Sequence, residues 1–254
     1  MNDDYAQLYG DLQGWHWWFR GRQRILEAVL RHELNGDGRG RRILSVGCGP
    51  ATGLKWLVPF AGEGGTVVGL DLAAVHAREL PAQVGFVVGS LTEAPFADGA
   101  FDVVLALDVL EHLEDDARGL SEAARLVRPG GLLLITVPAL PSLWGGQDVV
   151  SHHLRRYTKG TLTRLFRRVG LEGFRVNYFN TLLFPLAAAV RWTRRAAGQA
   201  NRPQSDFEGQ RPGLLNEALE RVFGFESRLI NRATLPVGVS LVATYRPPAR
   251  AGGA

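Results

Sequence analysis

The sequence predicts an α/β fold, a mostly parallel sheet with helices on both faces. Three observations carry this expectation. Short apolar strands alternate with helices from Arg41 to about Val137, a glycine-rich turn follows the first strand, and an acidic residue closes the second. Doubly wound sheets are built this way, because strands buried on both faces read as continuous apolar runs.

Residues 5–34 read as one helix, with apolar and aromatic residues at Tyr5, Leu8, Tyr9 and Leu12 and again at Ile25, Leu26, Val29 and Leu30. Asn35 to Gly38 breaks it. Ile43–Val46 is the first strand, followed by the glycine turn and a helix from about Gly53 to Phe60. Thr66–Leu70, Phe86–Val88 and Val103–Leu107 are the next three strands. Ser121–Val127 reads as helix, stopped by Arg128-Pro129-Gly130-Gly131, and Leu132–Val137 is the fifth strand. Residues 139–157 form a long connection. Thr161–Val169 is helical, Phe174–Tyr178 a sixth strand, and Leu182–Ala197 a helix that tolerates Pro185 only in its first turn. Residues 201–213 are polar loop, Leu214–Ile230 an amphipathic helix, Val237–Tyr245 the last strand, and residues 247–254 a tail.

Composition excludes several classes. The chain has 254 residues, 46% hydrophobic and 21% charged, which is ordinary for a globular protein and too apolar for a disordered one. Cys48 is the single cysteine, so neither an internal disulfide nor a cysteine-based zinc site can form. That fits a reducing compartment, and a cytoplasmic location is expected. The acidic start, Met1-Asn2-Asp3-Asp4, is not a secretory signal. Leu182–Val190, the most apolar later stretch, is about half the ~20 residues needed to span a bilayer. The net charge of +4 is small and scattered, and of 29 basic residues only Lys55 and Lys159 are lysines. No nucleic-acid partner is expected.

The strongest site signal is Ile43-Leu44-Ser45-Val46-Gly47-Cys48-Gly49-Pro50-Ala51-Thr52-Gly53. Glycines at such a turn let backbone and ligand approach closely, and a helix start supplies unpaired N–H donors. Asp71 closes the second strand, where a carboxylate can accept from both ribose hydroxyls of an adenosine. A dinucleotide fingerprint would place its third glycine at 52; here Thr52 stands there and Gly53 follows. That spacing disfavours an NAD(P)-dependent oxidoreductase.

Residues 41–138 resemble the class I S-adenosylmethionine-dependent methyltransferases. The resemblance rests on motifs in order: the glycine turn, Asp71, Gly89-Ser90-Leu91-Thr92-Glu93-Ala94-Pro95-Phe96, Phe101-Asp102-Val103-Val104, Leu107-Asp108-Val109-Leu110-Glu111-His112-Leu113 and Leu126-Val127-Arg128-Pro129-Gly130-Gly131. It implies a Rossmann-like seven-stranded sheet, with an N-terminal helical lid and a helical insertion before the last strand. It also implies S-adenosyl-L-methionine as cofactor. The cofactor residues it implies are Ser45, Gly47, Cys48, Gly49, Gly53, Asp71, Leu72, Ser90, Leu91, Leu107 and Asp108. The organisation expected is a single domain over 1–250: helical cover to 40, cofactor core 41–138, acceptor-side cover 139–232 and last strand 233–246. Two departures stand out, because the family usually has acids where Ser45 and Ser90 stand. Losing a charge-assisted bond costs on the order of 1 kcal/mol. These serines also keep open a non-catalytic binding or scaffold protein on the same fold.

A further resemblance joins His16-Trp17-Trp18-Phe19-Arg20 with Trp144-Gly145, Asp148 and His153-Leu154-Arg155-Arg156-Tyr157. A bacterial subset of the family carries both segments. It implies acceptor contacts from Trp17, Trp18, Trp144, His152, Arg156 and Tyr157. The aromatic helix is equally readable as a lid or as a helix packed on the sheet, and residues 148–157 as acceptor loop or plain surface loop. Methyl transfer from a sulfonium needs alignment above all, and a base only for a protonated acceptor. His112 and His153 are the candidates; His112 also reads as a helix-start residue. No metal is required, and Cys48 reads as a small buried filler. The expected acceptor is a small or lipid-linked molecule methylated at O or N, by a monomer or homodimer. Leu182–Ala197, apolar on one side and arginine-rich on the other, is either a cover helix or a site of peripheral membrane contact.

Overall fold

A computed structural model describes residues 12–35, 40–49, 51–73, 80–207 and 210–249. Residues 5–11 of the expected N-terminal helix, the break at 36–38, Pro50 and the end of the tail lie outside them. Seven strands form one sheet: β1 (Arg42–Val46), β2 (Thr66–Asp71), β3 (Val84–Val88), β4 (Phe101–Leu107), β5 (Val127–Pro138), β6 (Arg175–Phe179) and β7 (Ser240–Tyr245). Their order is β3-β2-β1-β4-β5-β7-β6. The pairs β1–β2, β1–β4, β2–β3 and β4–β5 are parallel. This is the α/β class the strand pattern predicts. Among the described residues no helix is long and apolar enough to cross a membrane.

The chain forms two compact units. The first comprises Gly36–Thr136, Leu162–Val176 and Ala243–Ala254; the second comprises Met1–Asn35, Val137–Thr161 and Asn177–Val242.

In the first unit, Ile43, Leu44, Val103, Val104 and Leu132 to Ile135 are fully buried. Each such side chain is worth about 1.5–3 kcal/mol. After β1 the expected α-helix over 53–60 is instead a 3-10 helix, Ala51–Leu57, with one α turn, α2 (Val58–Ala61), behind it. Pro59 is the reason. It fits only a first turn, so an α-helix must start beside it and not six residues earlier. α3 (Asp116–Leu126) is capped by Asp115, whose Oδ1 accepts from Arg118 N–H at 3.0 Å. Its Leu120 and Ala123 are buried, as the periodicity requires. The expected stop at Arg128–Gly131 is not a separate turn. β5 starts directly after α3 and absorbs those residues in a register shift, with Val127 opposite Phe101 and Leu132 opposite Val103. Gly130, at φ 74°, makes the bulge possible.

In the second unit, α1 (Trp17–Leu34) starts later than the expected helix. Gly14 and Trp15 form a turn, and His16 caps a new start, its Nδ1 accepting from Trp18 N–H at 3.2 Å. The connection 139–157 holds a 3-10 turn (Pro141–Leu143) and α4 (Gly146–Val150). α5 (Lys159–Arg168), whose residues from Leu162 on belong to the first unit, and α6 (Phe184–Ala196) stand where expected, with Pro185 in the first turn of α6. α7 (Leu214–Phe225) is shorter than expected and passes into a 3-10 turn at Glu226–Arg228. Glu226 is responsible. It is buried, and its Oε1 accepts from Leu182 N–H at 2.7 Å, which holds the chain out of helical continuation.

Candidate functional site

The glycine turn closes over the end of β2. Gly47 N–H donates to Leu70 O at 2.7 Å and Gly49 N–H to Asp71 Oδ2 at 2.8 Å. Both glycines adopt positive φ, 57° and 61°. A Cβ at Gly47 would stand 2.6 Å from Val109 Cγ2. Only glycine meets both demands. Gly53 lies inside the 3-10 helix and not in the turn.

Cys48 sits against β2, where Gly69 makes room for it: a Cβ at 69 would lie 2.8 Å from its sulfur. Burial, and then the charge of Asp71, push the thiol up to about 12. It stays protonated at neutral pH, which is chemistry for a filler and not for a nucleophile.

Asp71 is the last residue of β2, paired with Val88. Its Oδ1 also accepts from Ala73 N–H at 3.4 Å. A carboxylate with two oxygens keeps lone pairs beyond those bonds, enough for a vicinal diol. Leu72 and Val88 are exposed apolar side chains at the ends of β2 and β3. Ser90 caps the 3-10 turn Leu91–Glu93: its Oγ accepts from Thr92 N–H at 3.3 Å and shares a bond with Thr92 Oγ1 at 2.9 Å. Leu91 is buried, and so is Ser45 within β1.

Asp108 follows Leu107 at the end of β4 with φ 57°. A non-glycine residue in the left-handed region is strained, and such residues persist only where neighbours hold them. Thr136 on β5 holds this one. Its carbonyl accepts from Asp108 N–H at 3.0 Å, and its hydroxyl donates to Asp108 Oδ1 at 3.0 Å. Thr136 was not legible as a site residue, because a threonine inside an apolar strand carries no spacing signal. His112 ends the 3-10 turn Leu110–His112 and is exposed.

The second unit collects the other candidates. His16 is buried among Trp15, Trp17, Phe19 and Phe207, with ring centroids 5.0–5.9 Å away. Burial pushes its pKa down. Trp17 donates from Nε1 to Gln210 Oε1 and from its backbone N–H to Asn216 Oδ1, both at 2.9 Å. Asn216 returns a bond from Nδ2 to Trp15 O at 2.8 Å. Arg22 lies over the Trp18 ring, 5.1 Å from its centroid. The aromatic cluster is thus packed against Phe207 and α7 within this unit, and Trp17 and Trp18 stay half-buried.

Asp148 on α4 is the hub of the post-β5 segment. Its Oδ2 accepts from Gly145 N–H at 2.8 Å; its Oδ1 meets Arg156 Nε at 2.7 Å and His153 Nδ1 at 2.9 Å. Burial alone would raise its pKa. The His153 bond, then the charge and bond of Arg156, then Gly145, outweigh that and bring it down to about 2. An ionised Asp148 keeps the proton of a neutral His153 on Nδ1. Arg156 also donates to Ala139 O at 2.8 Å, and Tyr157 is buried beside it. Trp144 is half-buried and His152 exposed, the latter at φ 55°. Arg191 ion-pairs with Asp206 and reaches within 3.6 Å of Asp148 Oδ2. Gly145 leaves the space its guanidinium fills. Arg191 and Asp206 come from segments whose sequence shows no motif, so only folding reveals them.

Comparison with known proteins agrees with this geometry. A family model described as a methyltransferase domain matches residues 44–135. A protein of Mycolicibacterium smegmatis named a probable S-adenosylmethionine-dependent methyltransferase is 33% identical over 162 residues, 62% of this chain and 60% of that protein. The chain thus spans about three fifths of that relative's length. A ubiquinone biosynthesis O-methyltransferase of a Caulobacter species is 37% identical over 198 residues, covering 67% of this chain and 75% of that one. Phosphoethanolamine N-methyltransferase 2 of Haemonchus contortus, solved with S-adenosyl-L-methionine, superposes with a TM-score of 0.55 at 22% identity, over 87% of this chain and 51% of that chain. The nicotinamide alternative falls with these matches, and the chain belongs to the class I S-adenosylmethionine-dependent methyltransferases, an enzyme family whose cofactor is S-adenosylmethionine.

Proposed function

We propose that this chain transfers a methyl group from S-adenosylmethionine to an oxygen or nitrogen of a small or lipid-linked acceptor by in-line displacement. The observation that carries it is the Asp71 carboxylate, fixed at the end of β2 by Gly49 N–H at 2.8 Å beside a glycine turn in the left-handed region. The donor set fits the cofactor part by part. Asp71 accepts from the ribose hydroxyls, the exposed Leu72 and Val88 offer apolar surface to an adenine, and Gly47 and Gly49 let backbone come close to the amino-acid end. Bound S-adenosylmethionine supplies a methyl already activated on a sulfonium. The chain's task is then to hold the two reactants in line, which is worth up to ~7–11 kcal/mol of barrier when the geometry is right.

A nitrogen acceptor needs no base once neutral. For a hydroxyl acceptor, His153 is the base we favour over His112, because Asp148 orients its ring at 2.9 Å and leaves Nε2 as the accepting nitrogen. Acceptor contacts are assigned to Trp17, Trp18, Trp144, His152, Arg156 and Tyr157. The Caulobacter relative's name, which places it in ubiquinone biosynthesis as an O-methyltransferase, supports a lipid-linked acceptor and oxygen.

Titration calorimetry with S-adenosylmethionine, S-adenosylhomocysteine and NADH tests the cofactor half. Micromolar binding of the first two and none of NADH is expected. Transfer of labelled methyl into aqueous and organic extracts of cells tests the acceptor half, with label expected in the organic phase. Binding without transfer into either phase would favour the non-catalytic reading that Ser45 and Ser90 motivate; no binding at all would sink the proposal.

A further inference from the structure

α6 and α7 are inside out for helices of a globular unit. α7 turns Asn216 and Glu220 inward, onto the Trp15–Trp17 backbone and onto Arg20 and Arg24. Phe223 packs inward, but other large apolar side chains point out: Leu214 is 85% and Leu215 74% exposed, with Val222 and Phe225 exposed further along the same side. α6 buries only Ala188. Leu182, Leu186 and Val190 recur every fourth residue and are all exposed, and Trp192 of the same helix is exposed too. The two stripes approach each other where Leu182 N–H donates to Glu226 Oε1, one residue beyond Phe225. Contiguous exposed apolar surface on a folded unit marks a contact with something outside it.

Charge says what that something is. Among the described residues from 182 to 232, the exposed charged side chains are Arg195, Arg202, Arg211, Arg221, Arg228, Arg232 and a single acid, Glu217. The other acids among these described residues are drawn in: Glu220 and Glu226 are buried, and Asp206 is half-buried against Arg191 and Arg194. A two-fold pairing of copies would set this patch on itself, arginine facing arginine. An anionic bilayer satisfies both features, since apolar side chains enter the headgroup–acyl boundary while arginines meet lipid phosphates and tryptophan rests at the interface. We propose that α6 and α7 dock this chain on the surface of an anionic lipid bilayer, lying on it without crossing. The inference goes beyond the methyl-transfer reading and stands whether or not the acceptor is a lipid.

Vesicle co-sedimentation of the full chain tests it, comparing phosphatidylcholine alone with phosphatidylcholine containing about one third phosphatidylglycerol. Binding to the anionic vesicles only is expected, weakened at least about tenfold in about 0.5 M salt. Leu186→Asp with Val190→Asp, and Leu215→Asp with Val222→Asp, should each weaken it at least about tenfold while circular dichroism and S-adenosylmethionine affinity stay unchanged. If an aspartate pair fails to fold, Arg221→Gln with Arg228→Gln carries the test, with a loss of about fivefold or more expected. No sedimentation with either vesicle, or equal and salt-independent sedimentation with both, overturns the proposal. So does a dimer in solution that the aspartate pairs split while no vesicle binds, which would give the patch to a second copy. Cofactor affinity is read separately in the same samples, so failure here and failure of the methyltransferase reading are distinguishable.

Discussion

Asp71 performs two tasks with one carboxylate. It anchors the glycine turn through Gly49 N–H at 2.8 Å, and its remaining lone pairs are the ribose acceptors of the proposed site. Asp71→Ala should therefore weaken S-adenosylmethionine binding at least about tenfold, about 1.4 kcal/mol. Unchanged affinity in calorimetry would refute this placement of the ribose. Asp148 orients His153 through Nδ1 at 2.9 Å, and the proposed role of His153 is with the acceptor, so its effect should be on turnover and not on cofactor. His153→Ala is expected to lower kcat at least about tenfold on a hydroxyl acceptor, with cofactor affinity within about twofold of wild type. Unchanged kcat would remove it from the mechanism. Asp108 shows a cost of another kind: its left-handed backbone is held by two bonds to Thr136, and strain kept this way at the end of a strand belongs with sites that position a ligand.

At the scale of elements, α1 and α7 meet through a glycine. A Cβ at Gly21 would lie 2.5 Å from Phe223 Cδ1. Gly21→Val should destabilise the protein by about 1–3 kcal/mol through overpacking, read as a lower denaturant midpoint with unchanged m. Glu220 locks the same seam, with Arg20 at 3.2 Å and Arg24 at 2.5 Å. α4 is organised by charge instead. Asp148 has a folded pKa of about 2 against an ordinary 3.8. Its stabilisation is fully present above the ordinary value and is lost as pH falls through about 2, because the folded state resists the proton that the unfolded chain accepts. Asp148→Asn should cost about 3–5 kcal/mol at neutral pH, by leaving Arg156 buried without its carboxylate. It should also flatten the dependence of stability on pH between about 4 and about 2. A variant as acid-sensitive as wild type would show that the network does not rest on Asp148.

At the scale of the whole molecule, the cofactor should act as a stabilising ligand. S-adenosylmethionine at a hundredfold its Kd should add about 2.7 kcal/mol to unfolding, and NADH nothing. A thermal midpoint that S-adenosylmethionine does not move would argue against a preformed site. The strand positions, the glycine turn and Asp71 were legible from sequence because each is local. Four or five apolar residues in a row make a buried strand, and a glycine at positive φ is a property of one residue. Helix limits were less legible where one side chain decides them, as at His16, Pro59 and Glu226. By itself the sequence determined the α/β class, the family and the glycine turn beside Asp71. Only the tertiary structure decided that Thr136 holds Asp108, that Asp148 gathers His153, Arg156 and Arg191, and that α6 and α7 turn their apolar sides outward. The physical reason is that hydrophobic periodicity names the two faces of a helix, while long-range hydrogen bonds and charges choose which face is buried.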